Sequence, residues 1–381
     1  MSYGLSIHRV KDKQGLRQFI DVAPHLYQDD PCFITPLVME RMEKLSADKN
    51  PYFKHAEAQY WIAHRDGEPV GRISAQVDQL VHSEIDPKLG QMGMFEAIND
   101  EPVAALLFKT AENWLRDKGM TQVQGPFNLS VNEECGLLID GFDTPPMIMM
   151  GHGRSYYRAL FEVNGYEKAK EMYAYLIDVQ ESLPPGIQRI VDMARRNRHL
   201  HVRPLDMKNF DHDLKICFSI FNKAWAGNWG FVPFTDEEAL HAAKSMKQVL
   251  IAEWGRIAYY DDKPVAFMIA LPDINGMIGD LDGKLLPFGW AKFLWRLKMN
   301  DIEGMRVPLM GILPEHQKTP VGAALALHMI EDVRLAALKR NLQRGELSWI
   351  LEDNMGMRNI ISRIESVVYK TYAIFEKSLL P

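Results

Sequence analysis

The stretch Pro314 to Ile330, PEHQKTPVGAALALHMI, carries the residue types of an anion cradle. Thr319 suits a helix N-cap, and Pro320 suits the first helical position, where its fixed φ is helical and its missing N–H would lack a partner anyway. The positive end of a helix offers amides without intrahelical partners, so Val321, Gly322, Ala323 and Ala324 are expected to aim N–H groups at a bound phosphate. Gly322 and the alanines keep side chains out of its path. The same residues also read as a well-capped packing helix. A second group could move protons: GPFNLSVNEECG sets Asn128, Asn132, Glu133 and Glu134 between glycines after an apolar strand, with His55 in FKHAEA and Glu96 in GMFEA as further acid–base candidates. Their structural alternatives are a helix-capping Glu96, a core histidine and asparagines that make turns.

Composition limits what these residues can serve. The chain has 381 residues, 47% hydrophobic and 25% charged, which is globular usage over a length that calls for two domains. A net charge of -6 argues against nucleic acid as the main partner. The N-terminus shows no secretory h-region, no apolar run is long enough to span a bilayer, and Cys32, Cys135 and Cys217 are odd in number and far apart, so a reducing cytoplasm is expected. No Cys/His cluster has metal-ligand spacing, and no metal is expected.

An internal repeat organises the elements. AHRDGEPVGRISA from Ala63 and AYYDDKPVAFMIA from Ala258 both read as strand, turn, strand, and YAY at Tyr173 matches YAIF at Tyr372 at nearly the same offset. Each half is expected to run helix, hairpin, strand, helix, strand, helix, strand, giving an α/β (α+β) chain of two mixed sheets covered by helices. The proline pair in QESLPPGIQ places the boundary so that the domains are 1–183 and 184–381.

With a loop between the fourth strand and the long helix, this order resembles the GNAT superfamily of acyl-CoA-dependent N-acyltransferases, whose signature [QR]-x-x-G-x-[GA] is matched by Gln317 to Gly322 except at Pro320. Stretches including NPYFKHAEAQYWIA, WAGNWGFVPFTDEE and WILEDNMGMRNIISRIESVVYKTYAIFEK are similar to a group of bacterial tandem-GNAT proteins that includes the bacterial ceramide synthase. The resemblance implies two GNAT-like domains in tandem and transfer of a long-chain acyl group from acyl-CoA to an amine, that of a sphingoid base above all. Coenzyme A would be held by Leu313, Gln317, Val321, Gly322, Ala323, Ala324 and Asn354. Asp100 and Glu101 stand at the corresponding place in the first half, where they would repel a phosphate, so that half is expected to serve the acceptor.

Amide formation from a thioester needs an unprotonated amine, donors for an oxyanion and a proton for the thiolate. His55, Glu96, Asn132, Glu133 and Glu352 are the catalytic candidates, and Asn128, Asn228, Trp229, Trp290 and Phe293 the substrate contacts. Many GNAT enzymes place a proton-donating tyrosine seven residues after the asparagine matched by Asn354; Ile361 stands there, so either another group such as Glu352 or Tyr369 gives the proton or the thiolate leaves without help. In KLLPFGWAKFLWRLKM, Trp290, Phe293, Leu294 and Leu297 form one helical stripe with Lys292 and Arg296 on another face. Such a stripe fits an acyl tunnel or peripheral contact with the inner membrane as well as a buried core. Two other classes fit the same fold: an acyl-CoA sensor without turnover, and an aminoacyl-tRNA-dependent transferase, which the acidic balance disfavours.

Overall fold

The computed structural model describes residues 4–299 and 302–380. The chain packs into two compact units: Met1–Met172 with Ile278–Lys292 and Lys370–Pro381, and Tyr173–Met277 with Phe293–Tyr369. They are not two consecutive pieces of chain. The closing strand Val367–Ser378 sets Phe375 opposite Gly125 and Ala373 opposite Leu137, so its later residues complete the N-terminal unit. The end of the Glu167–Asp178 strand lies beside Arg344–Leu351 in the C-terminal unit.

In the N-terminal unit the strands run in the order Leu5–Arg9, Ala56–Arg65, Glu68–Asp78, Leu89–Ala97, Gln122–Gly125 and Val367–Ser378. The hairpin turns at Asp66 and Gly67, both at positive φ (52° and 91°), the left-handed pair a tight hairpin needs. Helix Glu101–Asp117 crosses from the fourth strand to the fifth, making that pair parallel, and its buried Val103, Leu107, Phe108 and Leu115 cover the sheet. Phe108 stacks on Phe95 with ring centroids 4.7 Å apart and meets Phe161 edge-on, a geometry worth about 0.5–1.5 kcal/mol per pair beyond buried area.

The C-terminal unit repeats the plan. Leu200–Pro204, Gly255–Tyr260, Lys263–Pro272, Gly304–Ile312 and Arg344–Leu351 lie in sequence order across its sheet. Its hairpin turns at Asp261 and Asp262, again both at positive φ. Helix Pro320–Leu338 makes the crossover and buries Leu325, Ala326, Met329, Ile330 and Val333 in this unit's core. Each unit has a leading strand that the repeat did not indicate, because Leu5–Arg9 and Leu200–Pro204 are short and lie at sheet edges, where alternation is weakest.

Candidate active site

The two parallel strand pairs end differently, and the difference defines the site. In the C-terminal unit Gly304–Val307 pairs with Arg344–Leu347, after which Pro308–Ile312 and Ser348–Leu351 continue without ladder partners on each other. A register shift against Lys263–Pro272 sets a bulge in the first strand where the two part, and Pro308 lacks an N–H to give. The strand's carbonyls are met by side chains instead: Trp225 Nε1 donates to the Met310 oxygen at 2.8 Å and Gln317 Nε2 to that of Ile312 at 3.0 Å. Trp349 meets Trp225 edge-on at 5.6 Å, giving the parted strands an aromatic wall of half-buried rings.

The N-terminal unit has the same bulge, with Met94 at a φ of 47°, yet the following chain fills the place. Phe127 N–H donates to the Met92 oxygen at 2.7 Å, and Asn128 Oδ1 accepts the Met94 N–H at 2.8 Å. Gln76 Nε2 holds the carbonyls of Phe127 and Leu129 at 2.8 and 3.0 Å. A Cβ on Gly93 would fall 1.8 Å from the Phe127 oxygen, so glycine there admits the inserted chain.

At the end of the parted strands, Pro314–Gln317 forms a short turn of helix and Thr319 caps Pro320–Leu338, with Pro320 at its first position. The expected row of four free amides is corrected. Gly322 N–H donates to Thr319 Oγ1 at 3.1 Å and Ala323 N–H to the Thr319 oxygen at 3.1 Å, while Ala324, one residue further in, bonds back along the helix. Val321 is left as the amide outside the cap, and Lys318 adds an exposed ammonium. Gly322 does not open the approach to an anion; its Cβ position is 2.0 Å from the His316 carbonyl oxygen, so glycine is needed to fold the loop back. Gln317 ties this loop down through the Ala224 oxygen as well, at 2.8 Å. Leu313 and Val321 pack half-buried on the unit's core. Asn354 caps the short helix Met355–Ile361 through the Met357 N–H at 3.1 Å, and Ile361 is fully buried.

A polar network lies on the other face of the strands from Val307 and Leu347, which join the core. Arg306 and Glu346 are register partners one step before the strands part, with Nε 3.3 Å from Oε1. Ser348 accepts from Arg306 Nε at 2.7 Å and donates to Glu346, whose second oxygen accepts the Tyr369 hydroxyl. Arg306, Glu346 and Ser348 are buried; Tyr369 is half-buried. Sequence reasoning passed over Glu346 and Arg306. The available signal was an acid and a serine at alternate positions in GELSWIL, an otherwise apolar central strand.

The proton-moving candidates of the N-terminal unit sit in separate pairs. His55 Nδ1 is 2.9 Å from Asp78 Oδ1; Arg72 Nε donates to Glu96 at 2.5 Å and reaches the Phe19 oxygen; Lys44 lies 2.6 Å from Glu133. Glu134 takes Arg41 and Asn128. Burial pushes its carboxyl upward, but Arg41, Lys44 and the two hydrogen bonds outweigh that and hold it at about 2. Asn132 N–H turns back to Ser130 Oγ at 3.1 Å. Asp100 caps its own helix through Val103 N–H at 3.0 Å and pairs with Arg65 at 2.9 Å, so a carboxylate occupies that helix end.

In the C-terminal unit Asn228 N–H closes the end of helix Phe210–Trp225, and Trp229 follows it half-buried. The Glu352 carbonyl accepts Arg358 Nη1 at 2.5 Å. The stripe on helix Gly289–Lys298 divides: Phe293 and Leu297 pack on the core, whereas Trp290 and Leu294 are 50% and 51% exposed, and Trp295 outside the stripe is 59% exposed. Among the described residues no metal-binding group is found and no helix is long and apolar enough to cross a membrane.

No protein-family model matches the sequence. The chain is 43% identical to the bacterial ceramide synthase of Caulobacter vibrioides, over 98% of each protein, and 41% identical to protein YghO of Escherichia coli, over 100% of this chain and 97% of that one. Among solved structures it is similar to a tandem GNAT protein from the clavulanic acid biosynthesis pathway, with a TM-score of 0.56 and 10% identity over 99% of both chains. It is also similar to a GCN5-related N-acetyltransferase from Sphaerobacter thermophilus, with a TM-score of 0.55 and 11% identity over 99% of this chain and 96% of that one. The fold is therefore that of tandem GNAT proteins.

Proposed function

Because the chain belongs to the family of the bacterial ceramide synthase and is a tandem-GNAT acyltransferase, we propose that its C-terminal unit takes a long-chain acyl-CoA and passes the acyl group to the amine of a sphingoid base. The observation that carries this reading is the parting of Pro308–Ile312 from Ser348–Leu351 beside the Thr319-capped helix, set against the same place in the N-terminal unit, which Phe127 and Asn128 fill. A thioester arm lying along the parted strands would bring its diphosphate toward Val321 N–H and Lys318, with Gln317 and Asn354 shaping the loop and the next helix start. Few backbone donors remain after capping, so part of the phosphate affinity is assigned to Lys318.

A lipid acceptor is supported by the aromatic wall of Trp225 and Trp349 and by the exposed apolar residues of helix Gly289–Lys298. That helix fits peripheral contact with the cytoplasmic face of the inner membrane, where a lipid amine would be met. Asn228 and Trp229 follow the end of the helix that carries Trp225 and are assigned to the acceptor's entry.

The test is to incubate the purified protein with a long-chain acyl-CoA and a sphingoid base, against a small-amine control, following free thiol and lipid product by mass. Amide formed with the lipid amine alone is the expected result. Acyl-CoA bound in a separate titration with neither thiol nor amide released would favour an acyl-CoA sensor.

A further inference from the structure

We propose that Tyr369 and Glu346 are the proton relay of this transfer, with Arg306 and Ser348 holding the carboxylate in place. The proposal rests on the reading of the C-terminal unit as the acyl-transfer site. Glu346 has no exposed surface, and its two oxygens are divided: Oε2 takes the Tyr369 hydroxyl, Oε1 the Ser348 hydroxyl with Arg306 beside it. Arg306 also donates to the Ser348 carbonyl at 3.2 Å, so the guanidinium grips both sides of the residue that begins the unpaired run. Tyr369 is the member that retains surface, and it is therefore the end of the network a substrate can reach. The residue at the usual tyrosine position, Ile361, is buried and has no proton to give.

Position ties the network to the reaction. The Arg306 and Glu346 pair is one residue short of where the strands part, about 3.3 Å along a strand, and Ser348 is the first residue beyond. A merely supporting ion pair is a poor use of such a place, since desolvating two charges offsets most of their attraction and apolar residues would serve as well.

The chemistry balances without an outside reagent. The amine nitrogen attacks the thioester carbonyl carbon, forming the C–N bond, and the C–S bond breaks with its electron pair staying on sulfur. One proton must move from nitrogen to sulfur. Tyr369 takes it on oxygen while passing its own to Glu346, and the reverse passage delivers it to the thiolate, leaving both side chains as they began. Arg306 keeps the carboxylate's charge compensated until then.

Tyr369→Phe removes one hydroxyl and little volume. With the wild-type assay as reference, it is expected to lower kcat by about 10²–10⁴-fold, the usual worth of a positioned acid or base. KM, acyl-CoA affinity by titration and the melting temperature should stay near wild type. Glu346→Gln keeps a hydrogen-bond acceptor for Tyr369 but cannot store a proton, and added to Tyr369→Phe it should cost little more, as members of one relay are not additive. A folded Tyr369→Phe protein with near-wild-type kcat overturns the relay while leaving the acyltransferase reading intact. A wild-type protein that makes no amide overturns both. If Glu346→Gln does not fold, the Tyr369→Phe result decides alone.

Discussion

The side-chain oxygen of Asn128 lies 2.8 Å from the backbone nitrogen of Met94, and this bond seals in the N-terminal unit the place where the C-terminal unit's strands part. Met94 is held at positive φ by the bulge, so its N–H has no ladder partner without Asn128. Asn128 in turn donates to Glu134 at 3.1 Å. Asn128→Ala should therefore destabilise by about 1–3 kcal/mol, the cost of a buried donor left without its acceptor. Urea unfolding monitored by tryptophan fluorescence would measure it; an unchanged midpoint would show that the loop closes without this bond.

The loop before helix Pro320–Leu338 can be tested at two positions. Any Cβ there meets the His316 carbonyl, so Gly322→Ala is expected to lower the melting temperature and weaken acyl-CoA binding together, at about 1–3 kcal/mol for the overpacking. Lys318 is exposed, and Lys318→Glu reverses a charge without touching the packing. It should weaken acyl-CoA several-fold, more at low salt than at high salt, with the melting temperature retained. Equal affinity in both variants would remove the diphosphate from this loop.

Much of this was legible from residue order, and the remainder depends on partners far apart in the chain. The matched hairpins at Asp66 and Asp261, Pro320 at its helix start and the crossover helices follow from turn chemistry and periodicity, which act within a few residues. Partners distant in sequence are what the spacing could not supply. The GPFNLSVNEECG cluster looks like chemistry because its acids are close together, but Arg41 and Lys44, which engage them, lie far upstream. Conversely Glu346 looks like an ordinary strand residue until Arg306 and Tyr369 are brought to it. The stripe on helix Gly289–Lys298 has the period of a core face, and only packing reveals that half of it faces outward.

Glu134 gives the N-terminal unit a specific acid response. Its carboxyl is held at about 2 in the fold against an unfolded value near 4.5, so its contribution is complete above the unfolded value and disappears as pH falls toward the folded one. Arg41→Met leaves that largely buried carboxylate to Lys44 and Asn128, and the loss at neutral pH should approach that of a broken buried pair, about 3–5 kcal/mol. Denaturant titrations across pH should show the gap between variant and wild type widest near neutrality and narrowing steadily below about pH 4. A gap independent of pH would mean that Arg41 acts through packing instead of charge.

Helix Gly289–Lys298 makes the lipid reading measurable apart from catalysis. Trp290, Leu294 and Trp295 face outward, joined by Leu286 and Phe288 at 72% and 78% exposure, and between Gly283 and Met299 the chain carries Lys284, Lys292, Arg296 and Lys298 with no acid. Lys292 pairs with Asp280 and Arg296 donates to the Met277 oxygen, while Lys284 and Lys298 are exposed and can meet an anionic surface at about 1 kcal/mol each. Inserting three such apolar side chains adds about 1.5–3 kcal/mol apiece when fully buried. The protein should therefore sediment with vesicles containing phosphatidylglycerol and much less with pure phosphatidylcholine. Replacing Trp290, Leu294 and Trp295 together by glutamate should abolish sedimentation and leave the melting temperature near wild type, since none of the three is in the core. Retained binding would put the lipid contact elsewhere; loss of sedimentation with full turnover of a soluble short-chain base would separate docking at the membrane from the acyl transfer itself.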